Sequence, residues 1–116
     1  MSSFKASHRF ARITARKARL VVDMIRGQPV NTALVALERS PQRAAYLVHK
    51  LVRSAVANAE QKNEVHSAGI EIDDLVVSTI FVDEGPSMWR IRPRAQGRAS
   101  WIQKRTATIN VVLSER

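Results

Sequence analysis

The residues best suited to chemistry in this sequence lie between Gly85 and Arg105, GPSMWRIRPRAQGRASWIQKR. This segment holds six cations and no acidic residue, and two tryptophans and two isoleucines are interleaved with the charges. Buried cations need counter-charges that the segment does not contain, so we expect it to be exposed. Arginine suits bidentate phosphate contacts, and tryptophan rings stack on bases. The pattern therefore indicates a nucleic-acid-binding segment rather than a solvated loop whose charges only aid solubility.

The charge of the whole chain also favours a polyanionic partner. The 116 residues carry a formal net charge of +9, with a sequence pI of about 11.3. Residues 1–26 hold seven Lys or Arg against one Asp, whereas residues 65–86 hold five acidic residues and no Lys or Arg. We expect a basic binding surface opposite an ordinary solvated one. The length fits one domain with a modest core.

Several classes of protein are disfavoured by what the sequence lacks. It has no cysteine, which fits a reducing compartment and excludes thiolate metal sites. No apolar run approaches the ~20 residues that span a bilayer. The first residues lack the apolar core of a secretory signal. We therefore expect a cytoplasmic protein without a membrane partner.

The polar residues show no pattern typical of an enzyme or a metal site. His8, His49 and His66 are far apart, with no spacing that presents two of them to one metal. The acidic residues of 71–74 are interpreted as a solvated loop rather than as catalytic carboxylates. There is no Ser/His/Asp set and no glycine-rich phosphate loop. We expect no catalysis, no metal and no cofactor.

Hydrophobic periodicity predicts an α+β fold around the basic segment. Thr14 is the expected N-cap of a first helix, which Gly27 ends with a left-handed backbone and Pro29 prevents from continuing. The predicted elements are an extended edge strand at 3–12, helices at 14–26, 30–39 and from Pro41 to about Lys62, a loop at 63–74, and strands at 75–83 and 106–113.

The last two strands bracket the basic segment and predict one long hairpin. If Val82 pairs roughly with Asn110, the arms meet near Gln96 and Gly97, where glycine suits a turn with positive φ. Each arm then extends about ten residues, or roughly 30 Å, beyond the packed strands. We expect a single domain over 1–116, with a body at 1–84 and 106–116 and an extended hairpin at 85–105.

A different class of function remains open at this point. The first two helices and the corner between them could form a helix-turn-helix of a DNA-binding regulator. Among residues 30–39, only one Asn, one Glu and one Arg could contact the edges of bases, so an ordinary helical corner is favoured. An RNA-processing enzyme is a third alternative, for which the sequence offers no catalytic residues.

Five segments resemble a known family. In these segments, and over essentially the whole chain, the sequence resembles the bacterial type of the large-subunit ribosomal protein twenty-two family. The segments are KARLVVDMIRG at 17–27, SAVANAE at 54–60, IFVDEGPSM at 80–88, PRAQGRASWIQKR at 93–105 and INVVLSE at 109–115. The resemblance implies three helices packed on a small antiparallel sheet, with one long projecting β-hairpin. It implies a structural protein that binds ribosomal RNA, supports subunit assembly and lines the peptide exit tunnel with its hairpin tip.

The resemblance also implies partners and site residues. The expected partners are large-subunit ribosomal RNA, neighbouring ribosomal proteins and the nascent peptide at the hairpin tip, without homo-oligomers. Expected RNA-binding residues are Lys5, His8, Arg9, Arg12, Arg16, Lys17, Arg19, Arg26, Arg90, Arg92, Arg94, Arg98, Lys104 and Arg105. Expected tunnel-lining residues at the hairpin tip are Met88, Trp89, Arg90, Arg94, Ala95, Gln96, Gly97, Arg98 and Ala99.

Three positions depart from the pattern of the resembled family. Trp89 stands where a lysine is usual, Trp101 where a polar residue is common, and Thr108 where a histidine is common. At the hairpin, stacking on bases is the expected replacement for a phosphate contact.

Overall fold

The computed structural model describes residues 3–66 and 71–115 and has the predicted α+β architecture. Within this part of the chain there are three helices and five antiparallel strands, with short 3₁₀ turns at Ile72–Asp74 and Ala95–Gly97. The elements in chain order are β1 (Ser3–Ala11), α1 (Ala15–Ile25), α2 (Val30–Arg39), α3 (Arg43–His66), β2 (Leu75–Glu84), β3 (Met88–Pro93), β4 (Ala99–Lys104) and β5 (Ala107–Glu115).

A three-stranded antiparallel sheet in the order β1-β5-β2 forms the centre of the body. The predicted partners β2 and β5 are neighbours, and β1 is an edge strand as expected. Alternate residues of β5 are buried, because α3 lies against β1 and β5 while α1 lies against β2. The helices cover one face of the sheet, which leaves the other face open to solvent. The buried residues of β5 are Ala107, Ile109, Val111 and Leu113.

The first helix begins and ends where its sequence predicts. The Thr14 hydroxyl accepts a hydrogen bond from the Lys17 N–H at 3.4 Å, which satisfies one free donor of the first turn. Gly27 follows the helix with φ +79°, the left-handed conformation that ends many helices. The buried stripe of α1 is Ala15, Ala18, Val21, Val22 and Ile25.

The corner between α1 and α2 is joined to the sheet. The Gly27 N–H donates to the Val77 carbonyl at 2.9 Å, and the Val77 N–H donates to the Gln28 carbonyl at 2.9 Å. Pro29 forms a further bridge with Val76. The start of α2 is therefore held against the edge of β2, which favours an ordinary helical corner over a recognition helix free to enter a DNA groove.

Helix α3 differs at both ends from the predicted boundaries of Pro41 and about Lys62. The Ser40 hydroxyl accepts from the Gln42 N–H at 3.4 Å, so it stabilises a bend before the helix, which begins at Arg43. The helix continues to His66, so the first four residues of the predicted loop at 63–74 are helical, and residues 67–70 lie outside the described ranges. Small buried residues let α3 pack closely on the sheet, namely Ala44, Ala45, Ala55 and Ala59.

The predicted hairpin forms a separate two-stranded ribbon from β3 and β4. Its pairs run from Met88–Lys104 to Pro93–Ala99 and follow the predicted register. In the body, Val82 pairs with Ile109 rather than with the predicted Asn110, because residues 85–87 lie opposite only 105–106 between the two sheets. Gln96 and Gly97 have φ of +61° and +74°, which confirms the tip. The molecule measures 65 × 26 × 17 Å because the ribbon projects from the body.

Candidate nucleic-acid interface

The base of the hairpin is fixed by contacts between Gly85, Pro86 and Thr106. The Gly85 N–H donates to the Thr106 carbonyl at 2.9 Å, and the Thr106 hydroxyl donates to the Pro86 carbonyl at 2.6 Å. Thr106 is only 6% exposed. A Cβ atom at position 85 would lie 2.5 Å from the Thr106 hydroxyl oxygen, so this approach requires glycine. These contacts set the direction in which the ribbon leaves the body.

The base of the hairpin also borders a cleft of about 580 Å³ between α1, the start of α3 and the last residues of β4. Two smaller depressions adjoin it and share several of its residues. We call the cleft and these two depressions together the junction crevice. It is lined by eight cations and one carboxylate, that of Glu84. The cations are Arg12, Arg16, Lys17, Arg19, Arg43, Arg90, Lys104 and Arg105.

These cations lack neutralising partners within the protein. Among the side chains described by the structure, those of residues 3–64 and 71–115, the pair between Arg26 and Asp23, at 2.6 Å, is the only ion pair. The cations of the junction crevice are all exposed and therefore keep their charge available to an external anion. A polyanion such as nucleic acid is the ligand that this arrangement favours.

The ribbon presents two chemically different faces. Residues directly opposite in an antiparallel pair lie on the same face, so the pairing of β3 with β4 assigns each side chain. The basic face carries Arg90, Arg92 and Lys104, together with Met88, Ser100 and Ile102. The apolar face carries Trp89, Ile91 and Trp101, which are 58%, 60% and 66% exposed, together with Pro93, Ala99 and Gln103. One side of the ribbon suits phosphates, and the other suits flat apolar groups.

The remaining predicted cations are spread over the molecule. Arg92, Arg94 and Arg98 follow the ribbon to its tip, away from the junction crevice. Lys5 and Arg9 lie on the open face of the sheet. His8 points the other way, because it shares the helix-covered side of β1 with Phe4 and is half-buried. His8 therefore lies on the opposite face of β1 from Lys5 and Arg9.

Two predicted RNA-binding residues, Arg19 and Arg26, also donate hydrogen bonds to backbone carbonyls of β2. Edge strands expose unpaired carbonyls, and here Arg19 Nη2 donates to the Val82 carbonyl at 3.0 Å while Arg26 Nη2 donates to the Ile80 carbonyl at 2.9 Å. Arg26 Nη1 also contacts Asp23. Arg26 therefore has less capacity left for a phosphate than the cations of the junction crevice.

Some residues expected at the hairpin tip lie elsewhere. Met88 forms the first pair of the ribbon with Lys104, and Trp89 and Arg90 follow it, so all three lie at the body end. The tip itself is formed by the turn Ala95–Gly97 with Arg94 and Arg98 on either side, where the Arg94 N–H donates to the Arg98 carbonyl. The tip is therefore smaller than the sequence predicted.

Arg43 is a member of the junction crevice that the sequence interpretation did not select. It begins α3 and contributes to both the cleft and one of the adjoining depressions. Residues 43–53 contain three Lys or Arg and no Asp or Glu, a run that would have marked Arg43 as a candidate.

Replacing Thr106 by valine is expected to lower the free energy of unfolding by about 1 kcal/mol, because the Pro86 carbonyl loses the hydrogen bond that the buried Thr106 hydroxyl donates. Urea unfolding of the full chain measures this change. Thr79→Val is the matched control, since Thr79 is an exposed β2 residue, and its stability should stay within about 0.5 kcal/mol of the original. Equal stability of the two variants would show that the hydroxyl does not stabilise the hairpin base.

Two other kinds of site are not found in the part of the chain that the structure describes. No group of His, Asp or Glu residues is placed to hold a metal ion among the described residues. None of the described helices is long and apolar enough to cross a membrane.

Comparison with known families agrees with the resemblance of the sequence motifs. A family model matches residues 6–114 of the 116-residue chain, which includes all three helices and the whole hairpin. Its members are structural proteins of the large ribosomal subunit that bind ribosomal RNA, and it is not an enzyme family. The chain therefore belongs to the family Ribosomal protein L22p/L17e and is a large-subunit ribosomal protein that binds ribosomal RNA in the cytoplasm.

Proposed function

We propose that the chain docks on large-subunit ribosomal RNA through the junction crevice and passes its hairpin between RNA segments into the subunit. The carrying observation is the convergence at the hairpin base of eight cations without an ion-pair partner in the described residues. Each phosphate that such a cation neutralises releases counterions, which drives binding at low salt. This surface joins residues from the connection between β1 and α1, from α1, from α3 and from the ribbon, so one RNA contact would fix body and hairpin together.

The two different faces of the ribbon support the proposal that it passes between RNA segments, rather than that it lies on a single RNA surface. A two-stranded ribbon with six-residue strands is marginal in water by itself. Its basic face suits a phosphate backbone, and its apolar face suits exposed bases. Contacts on both sides would stabilise the extended ribbon and brace the RNA segments around it. In this way the protein would support subunit assembly.

We further propose that the tip forms part of the peptide exit tunnel and contacts the nascent peptide. The turn Ala95–Gly97 is exposed and carries no charge, and Arg94 and Arg98 flank it as the last cations of the ribbon. These arginines would hold RNA beside the tip while the small neutral turn borders the passage. Body (1–84 and 106–116) and hairpin (85–105) would act as one domain, since the Gly85 and Thr106 contacts link them.

A photo-crosslinking residue in place of Gln96 is expected to crosslink to the nascent peptide on stalled ribosomes, because Gln96 lies in the turn at the end of the ribbon. The same residue in place of Glu60, which lies on α3 in the body, is the control and should give no nascent-peptide adduct. Incorporation of both variants into large subunits is measured by sedimentation. Equal crosslinking from the two positions, or none from position 96 in assembled subunits, would contradict the tunnel role.

A further inference from the structure

A second basic surface lies on the outer side of α3, and Arg43 is the one cation lining it that also lines the junction crevice. The α3 groove has a volume of about 590 Å³ and lies between the end of α2 and the first half of α3. The residues of α3 that line it are Arg43, Tyr46, His49, Lys50 and Arg53.

The charge of the α3 groove is almost entirely of one sign. Residues 43–53 contain no acidic residue, and Glu38 of α2 is the only carboxylate among the residues that line the groove. The acidic residues of α3 lie in its second half, at Glu60 and Glu64. The first half of α3, which begins at the junction crevice, is therefore basic, whereas its second half carries charges of both signs.

An exposed aromatic ring lies among these cations. Tyr46 is 64% exposed, and the Lys50 Nζ atom lies 5.3 Å from the centroid of its ring. Tyr46, Lys50 and Arg53 are spaced at i, i+4 and i+7, which places them along one side of the helix. At 1.5 Å per residue, the row from Arg43 to Arg53 is about 15 Å long. A cationic groove with an aromatic platform is the arrangement that binds single-stranded nucleic acid.

The groove is continuous with the junction crevice, because Gln42 and Arg43 line both. An RNA strand that fills the crevice can therefore continue onto α3 without leaving a cationic surface. We propose that the α3 groove binds a single-stranded segment of ribosomal RNA, with Lys50 and Arg53 on phosphates and Tyr46 stacked on a base. This proposal rests on the proposed docking at the junction crevice and extends it to the outer side of the body.

The charge component is tested with Lys50→Gln and with Lys62→Gln, the same substitution on the same helix but outside the groove. Binding of the full chain to a large-subunit ribosomal RNA transcript is measured between 50 and 200 mM salt. Lys50→Gln should reduce the log–log salt slope by about 0.7, and adding Arg53→Gln should reduce it by about 1.4, the values for one and two single-strand phosphates. Lys62→Gln should leave the slope unchanged.

The stacking component is tested with two changes at Tyr46. Tyr46→Leu keeps an apolar side chain but removes the ring, and it should weaken binding on the order of 5- to 150-fold without changing the salt slope. Tyr46→Phe should bind as the original does. Thermal unfolding should be almost unchanged in both, since Tyr46 is exposed.

The outcomes separate the α3 groove from the proposed function. If Lys50→Gln and Lys62→Gln have equal slopes while neutralising the basic face of the ribbon lowers the slope, the α3 proposal is wrong and the proposed docking at the junction crevice, which Arg90 and Lys104 of that face also line, stands. A groove that binds an acidic protein segment instead would give this result. If the original chain shows a flat salt response, the proposed docking and the α3 groove both fail.

Discussion

Neutralising the basic face of the ribbon is expected to remove a large part of the salt dependence of RNA binding. The variant Arg90→Gln/Arg92→Gln/Lys104→Gln loses three cations that share one face of the ribbon and have no ion-pair partner in the described residues. If each contacts one phosphate, the log–log salt slope should fall by about 2.7 for duplex or 2.1 for single-stranded RNA. Between 50 and 200 mM salt, the affinity advantage of the original chain should then shrink roughly 20- to 40-fold.

A charge-conserving variant provides the control for this prediction. Arg90→Lys/Arg92→Lys keeps three cations on the basic face, so its salt slope should match that of the original chain, with weaker binding only where the planar arginine fork matters. Thermal unfolding of the neutral variant should be nearly unchanged, because all three residues are exposed. An unchanged slope in the neutral variant, or a large loss of stability, would mean that the basic face contacts the body rather than RNA.

The hairpin and its tip could be predicted from the sequence because their signals are local. Two β-branched strands bracket a segment of single-sign charge, and Gly97 supplies the left-handed turn. The α1 boundaries were predictable for the same reason, since Thr14 and Gly27 act on adjacent backbone groups. The end of α3 was missed because its last turns are polar and resemble a loop in composition.

The junction crevice could not be predicted, because it depends on long-range topology. Arg12 and Lys104 come together only because β1 pairs with β5, and the last pair, Ala11 with Ala107, brings the end of β1 beside the base of the hairpin. Arg43 joins them from a helix start that no local signal connects to the hairpin. The two faces of the ribbon could be assigned only with the exact pairing of β3 and β4, because a shift of one residue moves a side chain to the opposite face. The predicted pairing at Val82 was one residue off in the body, although it holds in the ribbon.

The apolar face of the ribbon leads to the second large effect. Trp89 and Trp101, together with Ile91, form an exposed apolar surface on a projecting ribbon, which soluble proteins rarely leave without a partner. The chain contains only these two tryptophans, so its intrinsic tryptophan fluorescence reports on this face alone. If bases stack on the rings, ribosomal RNA should quench this fluorescence. The quenching should persist in the Lys50→Gln/Arg53→Gln variant, because the α3 groove lies on the body.

Replacing both rings should weaken RNA binding more than any single change in the body. Base stacking on an aromatic side chain contributes about 1–3 kcal/mol per base, so Trp89→Leu/Trp101→Leu should lose about 2–6 kcal/mol if each ring stacks on one base. The salt slope should stay constant, because no charge is removed. Trp89→Phe/Trp101→Phe should retain most of the affinity, since it keeps two aromatic faces. Unchanged affinity of the leucine variant would show that the apolar face contacts a neighbouring protein or the solvent rather than bases. Contacts between the basic face and RNA phosphates would then account for RNA binding by the hairpin.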